Sequence, residues 1–329
     1  MSNTIFKFFI VIASFAIFFS IVTIINKNIK NEYPNTNDIV IPLDESVYSD
    51  NIQDMSLEHT VIYRDENIKS DMFSECYYAL MVDDTNKTIY AAKNVHQRMY
   101  PASMTKLMTA IIVCDKIEAG EISLDDEITI EKNYDLNDPG VLPFDIPYGS
   151  TVSVKDLLHE LLIFSNNYYA LILAEYIAGS EEEFCKLMNK KAQSIGATNT
   201  HYMNPHGLDH PEHYSTAYDT YLITKEAYSH PLIREINSYE SYSYLYTDSN
   251  GYMVPVEVNA TNYFMNGNVN LPANFNIEVW KTGTTDGAGN CLTMMLNSNN
   301  NSYFVVASCG ESKSDLYDAL VQLICLVYQ

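Results

Sequence analysis

One tryptophan, twelve glycines and eleven prolines in 329 residues exclude collagen-like, mucin-like and low-complexity architectures. Basic residues are scarce as well: 19 Lys plus Arg stand against 42 Asp plus Glu, a formal charge of −23. A chain so acidic is repelled by phosphate backbones, which excludes a general nucleic-acid binder. There is a single long apolar run, so a multi-pass membrane protein is excluded too. The six cysteines (76, 114, 185, 291, 309 and 325) form no C-x-x-C and no regular spacing, against a zinc ribbon or a dithiol redox motif. They read as isolated small apolar residues of a core. One disulfide, Cys291 with Cys309 across a hairpin, stays open. With 47% hydrophobic residues, what remains is an acidic soluble domain on a tether, large enough for a proper core.

The tether is the uncharged run Phe8–Ile25, between Lys7 and the pair Lys27 and Lys30. Eighteen residues at the α-helical rise just span a bilayer core. The run is long for the apolar part of a signal peptide and no small-residue cleavage pair follows, so an uncleaved anchor is favoured over a cleaved signal. Its flanking charges nearly balance and do not orient it. Residues 27–72 are rich in Asn, Asp and Glu and lack a sustained apolar period, the texture of a stalk. The domain plan is therefore an anchor or signal at 1–26, an acidic stalk at 27–72 and a folded domain at 73–329.

Within the domain, Tyr77–Val82 and Thr88–Ala92 are β-prone runs joined by turn-forming Asp83-Asp84-Thr85-Asn86, a hairpin. After Pro101 a helical period places Met104, Leu107, Met108, Ile111 and Ile112 on one face. Ser153 and Asp156 announce a second helix, interrupted by Ser165-Asn166-Asn167 before a third apolar one. Ser180 opens a fourth, closed near Gly196, and Ser215 opens a fifth. Strands return at 276–280, 291–296 and 303–308, and a helix over 314–327 follows. Strands at both ends of a helical middle predict one α+β domain whose sheet joins distant segments.

Ser103-Met-Thr-Lys106 puts a hydroxyl and an amine one helical turn apart, on one face. A serine is a weak nucleophile until something takes its proton, and a lysine does so once burial and a neighbouring cation make it neutral. Alone, an S-x-x-K is a weak signal, as is the S-x-N of Ser165 and Asn167. Lys281-Thr282-Gly283, ending a predicted strand, is rarer, and its glycine lets something approach the backbone closely. The order S-x-x-K, S-x-N, K-T-G is the signature of serine penicillin-recognising enzymes.

The surrounding blocks are PASMTKLMTA at 101–110, NPHGLDHPEHYSTAYD at 204–219 and KTGTTDGAGNCL at 281–292. With them, residues 73–329 resemble the D-alanyl-D-alanine carboxypeptidases among the low-molecular-mass penicillin-binding proteins. The resemblance implies an α/β (α+β), β-lactamase/transpeptidase-like fold: an antiparallel sheet of about five strands flanked by helices, plus a mainly helical region. It implies Ser103 as the acylated nucleophile and Lys106 as its base, with Ser165 and Asn167 completing a proton relay. Lys281 would keep Lys106 neutral and steer substrate, and Thr282 would bind the substrate carboxylate. The backbone N–H groups of Ser103 and of Thr284, next to Gly283, would hold the oxyanion. The implied partners are the peptidoglycan stem peptide and β-lactam antibiotics as covalent inhibitors, with the membrane engaged through the N-terminal helix. No metal or cofactor is called for. A substrate outside the cytoplasmic membrane would place the domain there, on a single-pass anchor, or secreted if the anchor is cleaved.

Three features depart from the family pattern. Asn166 replaces the commoner glycine of S-G-N, a bulkier choice beside the cleft. Where many relatives carry an arginine before an aromatic, this chain has Leu316-Tyr317, with Lys313 the nearest cation. The sequence also reads as ending after the catalytic domain. Four histidines within 201–213 suggest a metal, but Pro205 and Pro211 argue against a helical pair of ligands there. A serine β-lactamase is the nearest rival, yet no E-x-x-L-N lies between Ser165 and Lys281. Transpeptidase or endopeptidase activity stays open, as does a wall-binding homologue without turnover.

Overall fold

The computed structural model describes residues 59–62, 67–132, 146–310 and 312–329. The apolar run Phe8–Ile25 and most of the acidic segment after it lie outside the described residues. Among the described residues no helix is long and apolar enough to cross a membrane.

A five-stranded sheet joins both ends of the domain in the order β2-β1-β9-β8-β7. Its strands are β1 (Cys76–Asp83), β2 (Thr88–Lys93), β7 (Asn276–Thr285), β8 (Gly289–Ser298) and β9 (Asn301–Cys309), and every pair is antiparallel. β1 and β2 form the predicted hairpin. Successive residues from Asn290 to Leu296 and from Tyr303 to Cys309 are buried, so both faces of the sheet are covered. Helices α5 (Ala217–Ser229) and α7 (Lys313–Cys325) pack on it. β7 is an edge strand, open on the side away from β8.

The helical middle consists of α1 (Thr105–Glu118), α2 (Val154–Ile163), α3 (Asn167–Ala178) and α4 (Glu181–Ser194), with short α6 (Pro231–Asn237) following α5. The expected caps hold: Ser153 Oγ accepts from Asp156 N–H at 3.1 Å and Ser180 Oγ from Glu183 N–H at 3.2 Å. The fifth helix is capped one residue later than expected, by Thr216 accepting from Asp219 N–H at 3.0 Å. Every residue from Thr105 to Cys114 is buried, which makes α1 the central post of the domain.

A second sheet, β3-β4-β5-β6, was not anticipated. It comprises β3 (Glu127–Thr129), β4 (Thr151–Ser153), β5 (Ser241–Thr247) and β6 (Met253–Asn259). β5 does alternate, but through Tyr242, Tyr244 and Tyr246 rather than aliphatic residues, and Tyr244 and Tyr246 are buried. β6 contains Pro255, tolerated because the strand lies at the edge.

The disulfide left open across a hairpin forms elsewhere. Cys309 is bonded to Cys76, its register partner on β1, and Cys291 is a buried free thiol opposite Ser308. The last residues read as stalk belong to the packed domain. Thr60 N–H donates to the Tyr221 hydroxyl at 3.0 Å, Ile62 is buried, and Ile68 bridges Ala92.

Candidate active site

Ser103 sits in a 3-10 turn, Ala102–Met104, that runs directly into α1, and Lys106 is in the first turn of that helix. The Lys106 amine is fully buried. It lies 2.9 Å from Ser103 Oγ, 2.5 Å from Asn167 Oδ1 and 2.7 Å from the His206 carbonyl. Of these three partners, the amide oxygen and the carbonyl only accept, whereas the hydroxyl can donate. A neutral amine has two N–H groups and one lone pair. All three oxygens can accept from the amine; once the amine is neutral, its two protons can go to Asn167 Oδ1 and the His206 carbonyl, which leaves its lone pair for the Ser103 hydroxyl. Burial holds the Lys106 amine well below its usual range, and the positive charge of Lys281 pushes it down further.

Lys281 is also fully buried, and burial lowers its amine to about 7. The charge of Lys281 is itself one cause of the Lys106 depression, which makes Lys106 the amine placed to act as the base. Removing that charge should raise the Lys106 pKa, and the base form exists only above it. Lys281→Ala is thus expected to shift the acidic limb of the pH–acylation profile to higher pH. Stopped-flow acylation by a chromogenic cephalosporin across pH checks this, and an unmoved limb contradicts it.

The turn carrying Ser103 is held between two glycines. Ala102 adopts φ +46°, a left-handed conformation costing a non-glycine residue about 1–3 kcal/mol. On one side, a Cβ on Gly207 (φ +93°) would stand 1.9 Å from the Ala102 carbonyl oxygen. On the other, a Cβ on Gly283 would stand 2.9 Å from Ala102 Cβ and 3.1 Å from the Ser103 nitrogen. K-T-G thus brings edge strand β7 onto the backbone N–H of Ser103, as an oxyanion pocket shared between them requires.

The 201–215 segment is fastened to α1 at successive turns. Thr109 Oγ1 donates to the Pro205 carbonyl at 2.6 Å. His213 Nδ1 accepts Met203 N–H at 3.1 Å, so its Nε2–H donates to Thr105 Oγ1 at 2.8 Å. Burial pushes His213 down to about 3, keeping it neutral. His206 Nδ1 accepts Leu208 N–H, His210 Nδ1 accepts Glu212 N–H, and His201 Nδ1 donates to the Glu212 carbonyl. These four histidines shape a loop.

The other expected residues are placed unevenly. Ser165 lies in the break between α2 and α3 with φ +76°, but its hydroxyl makes none of the three hydrogen bonds on Lys106. Thr282 Oγ1 is 2.6 Å from Thr261 Oγ1, and the exposed Thr284 donates to Asn290 Oδ1 at 3.3 Å. Asn166 is drawn inward: its Oδ1 caps α3 by accepting Tyr168 N–H, and its Nδ2 donates to buried Glu160. Leu316 is core, and Lys313 lies 5.2 Å from the Tyr263 ring. The His206 carbonyl, Gly207 and Thr261 were not singled out from sequence. The first two sit inside the 204–219 block, whereas Thr261 carries no sequence signal.

The family model for D-alanyl-D-alanine carboxypeptidases matches residues 66–308. The chain belongs to that family. It is 34% identical over 226 residues to D-alanyl-D-alanine carboxypeptidase DacF of Bacillus subtilis, covering 68% of this chain and 54% of that one. It is 33% identical over 224 residues to the D-alanyl-D-alanine endopeptidase of Escherichia coli, covering 68% and 67%. The fold matches penicillin binding protein 6B of Escherichia coli with a TM-score of 0.65 at 28% identity, over 78% of each chain. The chain spans about half the length of the first carboxypeptidases it matches. The α/β penicillin-binding fold expected from the motifs is the fold observed.

Proposed function

We propose that this chain is a serine D-Ala-D-Ala carboxypeptidase that removes the terminal D-alanine from peptidoglycan stem peptides. The observation that carries the reading is the buried Lys106 amine, 2.9 Å from Ser103 Oγ and held there by Asn167 Oδ1 and the His206 carbonyl. In this reading Lys106 takes the Ser103 proton as Oγ attacks the carbonyl of the penultimate D-alanine. The backbone N–H groups of Ser103 and Thr284 receive the oxyanion. Lys106 returns its proton to the departing D-alanine nitrogen, leaving an ester on Ser103 that water hydrolyses. Lys281 and Thr282 bind the substrate carboxylate, and the Ser165 hydroxyl joins the relay once substrate is bound. β-Lactams, which present a strained amide to the same serine, are covalent inhibitors.

A stem-peptide substrate lies outside the cytoplasmic membrane. The catalytic domain is therefore extracytoplasmic, with Phe8–Ile25 as a single-pass anchor whose N-terminus is inside. Endopeptidase action on cross-linked peptides is the second reading, favoured by the likeness to the Escherichia coli endopeptidase. The test is D-alanine release by the full-length protein from an uncross-linked pentapeptide. Release is expected, and Ser103→Ala should abolish it. Cleavage of cross-linked dimers without D-alanine release would support the second reading instead.

A further inference from the structure

At the end of α1 remote from Ser103, Asp115 and Glu118 stand three residues apart, and His230 meets them from the joint between α5 and α6. Pro231 restricts the preceding residue to extended backbone, and His230 accordingly has φ −86° and ψ 111°. The histidine is only 4% exposed. Its Nδ1 lies 2.9 Å from Glu118 Oε1 and so carries the proton and donates it. In the neutral ring the lone pair is then on Nε2. That nitrogen is buried, has no hydrogen-bond partner, and faces Asp115 Oδ1 across 3.7 Å.

A lone pair and a carboxylate oxygen facing each other repel unless something positive lies between them. With metal–N and metal–O distances of about 2.1 Å, two ligands on a tetrahedral ion stand roughly 3.4 Å apart, close to the gap observed. One donor atom from each of Asp115, Glu118 and His230 lies within 4.8 Å of the others. The neighbourhood is also short of positive charge. Lys191 Nζ is 3.0 Å from Asp115 Oδ2, 3.3 Å from Oδ1 and 2.6 Å from Glu226 Oε1. That one ammonium is shared between the carboxylates of Asp115 and Glu226.

We propose that His230 Nε2 and Asp115 bind a divalent first-row cation, zinc by preference, with Glu118 orienting the imidazole through its Nδ1–H. Nitrogen and carboxylate donors suit zinc, and a carboxylate on the far nitrogen of a ligating histidine is the usual way its ring is fixed. The ion ties the end of α1 to the α5–α6 joint. It is a structural clamp, remote from the serine chemistry and independent of the function proposed above.

The full-length protein, stripped with EDTA, is titrated with zinc chloride by calorimetry near neutral pH. One equivalent is expected to bind. His230→Gln and Asp115→Asn should each weaken binding at least tenfold, and His210→Ala, an exposed histidine elsewhere, should not. X-ray absorption on the zinc-loaded wild type should find one imidazole among oxygen ligands, a test that needs no variant to fold. Absence of zinc binding, or undiminished affinity in His230→Gln, overturns the proposal. So does an NMR titration finding His230 doubly protonated and unmoved by zinc, which would make the cluster an ion-pair network.

Discussion

Lys106→Ala is expected to slow acylation of Ser103 by about 100- to 10,000-fold, the range a well-placed general base contributes. The amine is fully buried and lies 2.9 Å from the Ser103 hydroxyl, where it is placed to take the proton. The discriminating companion is Lys106→Arg. It puts a permanent charge where the account needs a neutral amine, and its planar fork cannot reproduce the contacts of a single nitrogen. Both variants should be comparably slow. Acylation rates with a chromogenic β-lactam measure them. An arginine variant within tenfold of wild type would mean that Lys106 serves by its charge and not by its lone pair.

Gly207→Ala should be the most damaging single-methyl change in the domain. Its Cβ would meet backbone, the Ala102 carbonyl oxygen at 1.9 Å and carbon at 2.4 Å, in a conformation that already disfavours a side chain. Overpacking plus left-handed strain amounts to about 3 kcal/mol or more, a fall in Tm of roughly 6–12 °C for a domain this size. Because the displaced atoms immediately precede Ser103, acylation should fail as well. Gly251 provides the control: its φ is +85°, but nothing lies within 4 Å of an added Cβ. Gly251→Ala should therefore lose only about 1 kcal/mol. Thermal melts and acylation of the two variants, side by side, check this. Equal losses would show that the contact with Ala102 is unimportant.

What was legible in the sequence was whatever is local or carried by spacing. The pairing of Ser103 with Lys106 follows from one helical turn, and the caps at Ser153 and Ser180 follow from side chains reaching N–H groups three residues on. The outer strands were readable as β-branched and apolar runs. β5 was missed because its alternation uses tyrosines, whose hydroxyls disguise the buried face: Tyr244 donates to buried Glu160 and meets the Tyr169 hydroxyl at 2.8 Å. The partner of Cys309 depended on β1 lying beside β9, a long-range register that no local pattern encodes. The same holds for the site. Asn166 looked like an obstruction to the cleft and is instead tied to Glu160, because the end of α2 supplies a buried carboxylate that its own sequence did not advertise.

The measurement that tests the central claim most directly is intact-protein mass spectrometry of the full-length chain incubated with benzylpenicillin, beside Ser103→Ala. The account predicts one stable adduct on the wild type, mapped by peptide digestion to Ser103, and none on the variant. An adduct that persists in Ser103→Ala would place the nucleophile elsewhere. No adduct with the drug consumed would mean rapid deacylation, the behaviour of a β-lactamase. No adduct with the drug intact would mean that Lys106 does not activate Ser103, and that the fold is kept for binding the wall without turnover.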